Sequence, residues 1–285
     1  LAPAKDLNIG QVIAAYEEQC AAIEKLGGRI VLMASRALAA CAKSPDDYGR
    51  VYEHILSQVK QPVIIHWLGE MFDPALKGYW LGDTGRRGGK SDHHAAMDVC
   101  IDVIARNAPK VDGVKVSLLD KHKEIAMRRR LPKGVAMYTG DDFNFAQLIE
   151  GDAEGHSEAL LGIFDAIAPA ASAALSALAA GDRAAYHEIL APTVPLSRHM
   201  FCAPTRFWPS AITRLPAMLS EILMLSSMVM PAPYIIAKKV AKRASTILRR
   251  TGPISQALSF QPSMRKRNLS LVCSMILRSC CKPAK

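Results

Sequence analysis

Apolar residues recur along this chain at two periods, one helical and one extended. In residues 8–26, NIGQVIAAYEEQCAAIEKL, Ile9, Val12, Ile13, Tyr16, Cys20 and Ile23 share one face of a helix, and Gly27-Gly28 supplies the stop. The compact apolar run RIVLMA then reads as a buried strand. In SPDDYGRVYEHILSQV, Ser44 is a cap and Pro45 the first helical residue, and Tyr48, Val51, Tyr52, Ile55, Leu56 and Val59 form the apolar stripe. PVIIHWL is a second strand. A Gly-rich loop over 78–90 leads to a helix at about 92–106 and then to the strand GVKVSLL. KHKEIAMRRR is a short helix with its cations at the C-terminal end, where the helix dipole favours them. GVAMYTG is a strand, FAQLIEG a short helix, GHSEALLGIF a further strand, and Ala166 to Leu190 an Ala-rich helical stretch interrupted at Asp182.

Strand and helix therefore alternate at least four times, and the strands are continuously apolar. That pattern predicts a parallel α/β sheet covered on both faces, as a doubly wound sheet or a (β/α) barrel. Neither GxGxxG nor GxxxxGK[ST] follows a strand, which counts against a nucleotide-binding fold.

The composition, 50% apolar and 22% charged over 285 residues, suits a folded protein. The net charge of +10 is unevenly placed. Residues 206–285 hold fourteen Lys or Arg and one acid, Glu221, for a net +13, which leaves residues 1–205 at −3. The tail admits three readings: a basic arm for RNA or membrane, a membrane segment at 217–237, or sequence that was never selected with this fold, such as out-of-frame translation. Glu221, Pro231 and Pro233 interrupt the second, and the abrupt loss of acids favours the third. The predicted organisation is thus residues 1–205 as the folded region and 206–285 as the tail. The seven cysteines (20, 41, 100, 202, 273, 280 and 281) lack metal-binding spacing and read as free thiols in the cytoplasm.

Parallel α/β folds carry their chemistry at the ends of strands. His66 lies in PVIIHWL, Lys115 in GVKVSLL, Ser35 and Arg36 follow RIVLMA, Thr139 to Asp142 close another strand, and Ser157 precedes the last. A lysine among apolar strands loses stability as the ammonium, which makes a neutral amine available to attack a carbonyl carbon. Spacing alone equally allows a strand-end lysine that reaches solvent or pairs with Asp112, Asp141 or Asp142.

Several of these segments, PVIIHW, VDGVKVSLLD, MYTGDDF and LIEGDAEGHSEALLGIF, resemble the dihydrodipicolinate synthase / N-acetylneuraminate lyase superfamily of class I aldolases, and within it an uncharacterised bacterial branch. The superfamily's lysine strand, G-[IV]-K-x-[SA]-x-x-D, is matched by Gly113, Val114, Lys115, Ser117 and Asp120. Its next G-x-D is matched by Gly140 and Asp142, and a later glycine–serine region is echoed at Gly155 to Ser157. The resemblance covers about residues 8–205. It implies a TIM (β/α)8 barrel, Lys115 as Schiff-base nucleophile, Asp142, Gly140 and Ser157 at the substrate, a pyruvate-like 2-oxo acid as substrate, no cofactor, and a homo-oligomer. No nucleic-acid or membrane partner is expected.

The chain departs from that pattern in three places. The P-x-x-x-Y-N strand carries His66 and Trp67 where the tyrosine and asparagine stand, so His66 is the expected proton relay. The loop after it is long and basic, and Arg86 and Arg87 join Arg36 as candidate anion binders. The first three strands have no counterpart and the chain begins at Leu1, so the expectation is a partial barrel, about strands four to eight, inactive if it cannot close. Three rival readings remain: a metal-dependent aldolase or hydrolase using His66, Asp92, His93 and His94, a catalytically dead aldolase remnant, and a binder acting through the basic tail.

Overall fold

A computed structural model describes residues 6–87 and 91–201. The elements in chain order are α1 (Ile9–Lys25), β1 (Val31–Met33), α2 (Arg36–Cys41), α3 (Pro45–Gln58), β2 (Val63–Leu68), α4 (Asp83–Arg87), α5 (His93–Arg106), β3 (Val111–Ser117), α6 (Lys121–Arg128), β4 (Ala136–Thr139), α7 (Phe145–Glu150) and β5 (Glu158–Ala159). After these come α8 (Ile163–Ala166), α9 (Ala168–Ala179), α10 (Arg183–Leu190) and α11 (Thr193–Met200). The chain divides into two compact units between Phe164 and Asp165. The boundary expected at residue 205, the basic tail and the segment 217–237 lie outside the described residues. Among the described residues no helix is long and apolar enough to cross a membrane.

Local chemistry accounts for the helix starts. Asn8 and Gln11 cap α1 reciprocally, each side chain accepting the other's backbone N–H at 3.0 Å. Asp92 accepts the amides of His94 and Ala95 to open α5, and Asp120 those of His122 and Lys123 to open α6.

Among the described residues the five strands are all parallel, and they lie in sequential order β1-β2-β3-β4-β5. A doubly wound sheet reverses its strand order at a switch point. This sheet does not, and its steady progression is the TIM-barrel type of arrangement. Because side chains alternate across a strand, the register sorts them into two faces. One face carries Leu32, Ile65, Trp67, Val114, Val116, Met137 and Thr139, all essentially sealed from water. These residues, apart from Thr139, belong to one apolar cluster with Val12 of α1, Leu56 of α3, Val103 and Ile104 of α5 and Met127 of α6. Burial of these side chains is the main stabilising term, at roughly 1.5–3 kcal/mol each. The other face is half-buried at Val31, Met33, Ile64, Leu68, Ala136 and Tyr138. The expectation of a sheet covered on both faces is therefore met fully on one face and in part on the other.

Two segments differ from the expected elements. Part of the Gly-rich loop is structured: Tyr79 and Trp80 are buried among Tyr48 and Tyr52, and α4 follows. Glycines at 78 and 82 supply the left-handed φ values of 71° and 65° that let this segment fold back on itself. The last strand is two residues long because the chain turns away after it, and the Ile163 amide donates to Asp142. In the second unit α9 packs on α10 and α10 on α11, with Tyr186 and Leu190 buried.

Candidate active site

Strand register assembles the site. Met33, His66, Lys115, Tyr138 and Glu158 form one row across the half-buried face, each paired with its neighbour on the next strand. Lys115 is 9% exposed and His66 4%. Two residues along from Lys115, Ser117 points to the same face. Its Oγ lies 3.0 Å from His66 Nε2, and the other ring nitrogen, Nδ1, is 2.8 Å from Met33 Sδ. A thioether sulfur only accepts, so the neutral ring carries its proton on Nδ1 and Nε2 accepts from the Ser117 hydroxyl. Burial, and secondly the nearby Lys115 charge, hold the imidazole's pKa well below its ordinary value. His66 is a neutral base.

Gly140 sets the space above the lysine. A Cβ there would stand 2.0 Å from Ser117 Oγ, 2.8 Å from the Val116 carbonyl oxygen and 2.9 Å from Lys115 Cε. Gly113 plays the same part lower on the strand, where a Cβ would meet the Tyr138 ring at 2.5 Å. The Tyr138 hydroxyl runs away from the lysine and donates to Asp112 Oδ2 at 2.7 Å, while Arg29 pairs with the other oxygen at 3.1 Å. Burial, followed by the bond to Asp112 and its charge, pushes this phenol up to about 12.

Asp142 is buried and accepts the Ile163 amide at 2.9 Å. Burial raises its pKa to about 6, against the opposing pull of the Ile163 amide and the Lys115 charge. The lysine and this carboxyl therefore lie within electrostatic reach of one another. Asp141 is committed to a turn, accepting the amides of Phe143 and Asn144 at 2.8 and 2.9 Å.

The remaining expected residues are placed elsewhere. Ser157 is fully buried and donates to Glu124 of α6 at 2.8 Å, a carboxyl that also accepts from Thr139 at 3.0 Å. Arg86 closes the C-terminal end of α2, donating to the carbonyls of Ala39 and Ala42 and pairing with Asp83. Arg87 is largely exposed and reaches Asp83 at 3.4 Å. Arg36 pairs with Asp73 yet stays 53% exposed at the C-terminal end of β1. The residues of the metal reading are not gathered: His93 pairs with Glu70 at 3.1 Å, Asp92 caps α5, and His66 faces Met33 and Ser117. Among the described residues no group of three potential ligands converges. Sequence reasoning did not assign roles to Ser117 and Met33. The two-residue strand period marks Ser117 as Lys115's neighbour, whereas Met33 needs the cross-strand register.

The family model described as "Protein of unknown function (DUF993)" matches residues 1–224. The chain belongs to this family. Comparison with curated protein sequences gave no match. Solved structures with a similar fold include a protein of Pseudomonas aeruginosa provisionally named a dihydrodipicolinate synthetase, 14% identical with a TM-score of 0.49. That likeness covers 68% of this chain and 57% of the other, so the chain spans a little over half of that relative's length. Dihydrodipicolinate synthases of Aquifex aeolicus and Oceanobacillus iheyensis are 12% and 15% identical, with TM-scores of 0.47 and 0.46. Each likeness covers 84% of this chain, and 82% and 80% of the other. No chemistry is carried over from these neighbours to this chain.

Proposed function

We propose that this DUF993 member is a Schiff-base-forming lyase of the class I aldolase type, acting on a pyruvate-like 2-oxo acid. One observation carries the reading: a nine-tenths buried lysine, Lys115, sits on a central strand of a sequential parallel sheet, in register with the buried neutral base His66. The G-V-K-x-S-x-x-D pattern around it adds support.

In its free-base form, Lys115 Nζ adds to the C2 carbonyl carbon; both amine protons leave with the carbonyl oxygen as water, and one proton taken up from solvent protonates the imine nitrogen. The resulting protonated imine draws electrons from the adjacent carbon, so a proton or a carbon–carbon bond at that position becomes easy to break. His66 is the base that takes up the proton. Asp142 places a carboxyl with a pKa of about 6 within reach of the lysine's charge. Arg36, held by Asp73 and half exposed beyond β1, is the group that binds the substrate carboxylate.

The test is borohydride reduction in the presence of pyruvate and other 2-oxo acids, read by intact mass on wild type and Lys115→Ala. A reduced adduct on wild type alone is the expected result. Equal labelling of both proteins, or none on folded wild type, refutes the reading.

A further inference from the structure

We infer that Ser117 is a further catalytic residue of the reaction proposed above: its hydroxyl carries the proton between the carbon next to the imine and His66. This inference rests on the Schiff-base role of Lys115.

His66 is buried, and both its ring nitrogens are engaged, Nδ1 with Met33 Sδ and Nε2 with Ser117 Oγ. A proton from a substrate on Lys115 therefore reaches the imidazole through the serine hydroxyl. Ser117 is placed for that task. It shares the lysine's face of β3, and its Oγ and Lys115 Cε both lie against Gly140 Cα, where one added carbon would contact both. Tyr138, the tyrosine of the same row, offers its hydroxyl to Asp112 instead.

The step balances. The C–H bond on the carbon next to the protonated imine breaks, and its electron pair becomes the new C=C bond. The former C=N π pair returns to nitrogen, giving a neutral enamine. The released proton forms a bond to Ser117 Oγ as the original hydroxyl proton passes to His66 Nε2. The positive charge moves from the imine to the imidazolium, and no oxidant or further reactant is required. The charge beside His66 disappears as its ring accepts the proton, which removes part of what weakened it as a base. The reverse transfer restores both residues.

The experiment measures deuterium uptake into the methyl group of pyruvate in D2O by NMR, with borohydride trapping in parallel, on the full chain. Wild type is expected to exchange the methyl protons and to trap the adduct. Ser117→Ala should still form the adduct but exchange about 10²–10⁴-fold more slowly, the usual worth of a positioned acid–base group. Ser117→Thr, which keeps the hydroxyl, should recover most of the rate, and a purely structural role would not produce that rescue. His66→Gln supplies an independent arm because it keeps a partner for the hydroxyl but accepts no proton. Its exchange should fall as far, so the test stands even if Ser117→Ala fails to fold by circular dichroism. Exchange at the wild-type rate in folded Ser117→Ala or in His66→Gln overturns the relay and leaves the lysine reading intact. Absence of any adduct on folded wild type instead removes the lysine reading, and the relay with it.

Discussion

Lys115 passes so close to Gly140 that one added carbon at that glycine would sit 2.9 Å from the lysine Cε and 2.0 Å from Ser117 Oγ. The glycine is needed for space, since its φ lies outside the left-handed region. Gly140→Ala should therefore lower stability by about 1–3 kcal/mol, the usual range for overpacking. It should also displace Lys115, so that adduct formation falls more than the folded fraction does. Denaturant unfolding and trapping yield on the same sample separate the two effects.

The electrostatic tie between Lys115 and its neighbours has a definite sign. The lysine's charge lowers the pKa of both His66 and Asp142. Lys115→Met should move both upward, with His66 still below its ordinary value because burial remains the larger cause. NMR titration of the imidazole in the two proteins checks the direction.

Glu124 makes stability depend on pH. Buried between α6 and the sheet, it has its pKa raised from 4.5 to about 7 by burial and, less strongly, by the charge of Asp141. Bonds from Ser157 and Thr139 and the charge of Arg128 oppose that rise. Below pH about 4.5 the carboxyl is protonated in the folded and unfolded states alike, and its contribution is fully present. Between there and about 7 only the folded state holds the proton, so stability falls as pH rises through this window. The loss is on the order of 3 kcal/mol. Glu124→Gln should flatten this part of the profile, as measured by urea unfolding between pH 4 and 8.

Two arginines expected alike to bind an anion, Arg36 and Arg86, should behave oppositely. Arg86 holds the end of α2, so Arg86→Ala should cost about 1–3 kcal/mol of stability and leave trapping of the folded protein unchanged. Arg36→Ala should change stability little, because its ion pair with Asp73 is half exposed, but raise the pyruvate concentration needed for half-maximal trapping. Melting curves and a pyruvate titration of each variant decide between them.

The parts of the fold that depend on short-range chemistry were legible in the sequence. The Ser44-Pro45 start and the apolar runs of β1 to β4 depend on residues within a few positions of each other. Lys115 and His66 were legible for a similar reason, as polar residues inside apolar strands. What could not be read was set by distant partners. Ser157 finds Glu124 across 33 positions and Arg86 finds Ala42 across 44, contacts that no spacing rule anticipates. The glycines within residues 78–90 read as a loop. Burial of Tyr79 and Trp80 instead anchors the start of that segment, because the apolar area of two aromatics outweighs the entropy of ordering a few residues.

The central claim is that Lys115 forms a covalent imine. Borohydride reduction with pyruvate, followed by proteolysis and mass spectrometry of the peptides, tests it most directly. The prediction is one reduced pyruvyl adduct, located on the peptide that contains Lys115 and absent without reductant. An adduct distributed over exposed lysines such as Lys25 and Lys133, or no adduct on the folded protein, would contradict it.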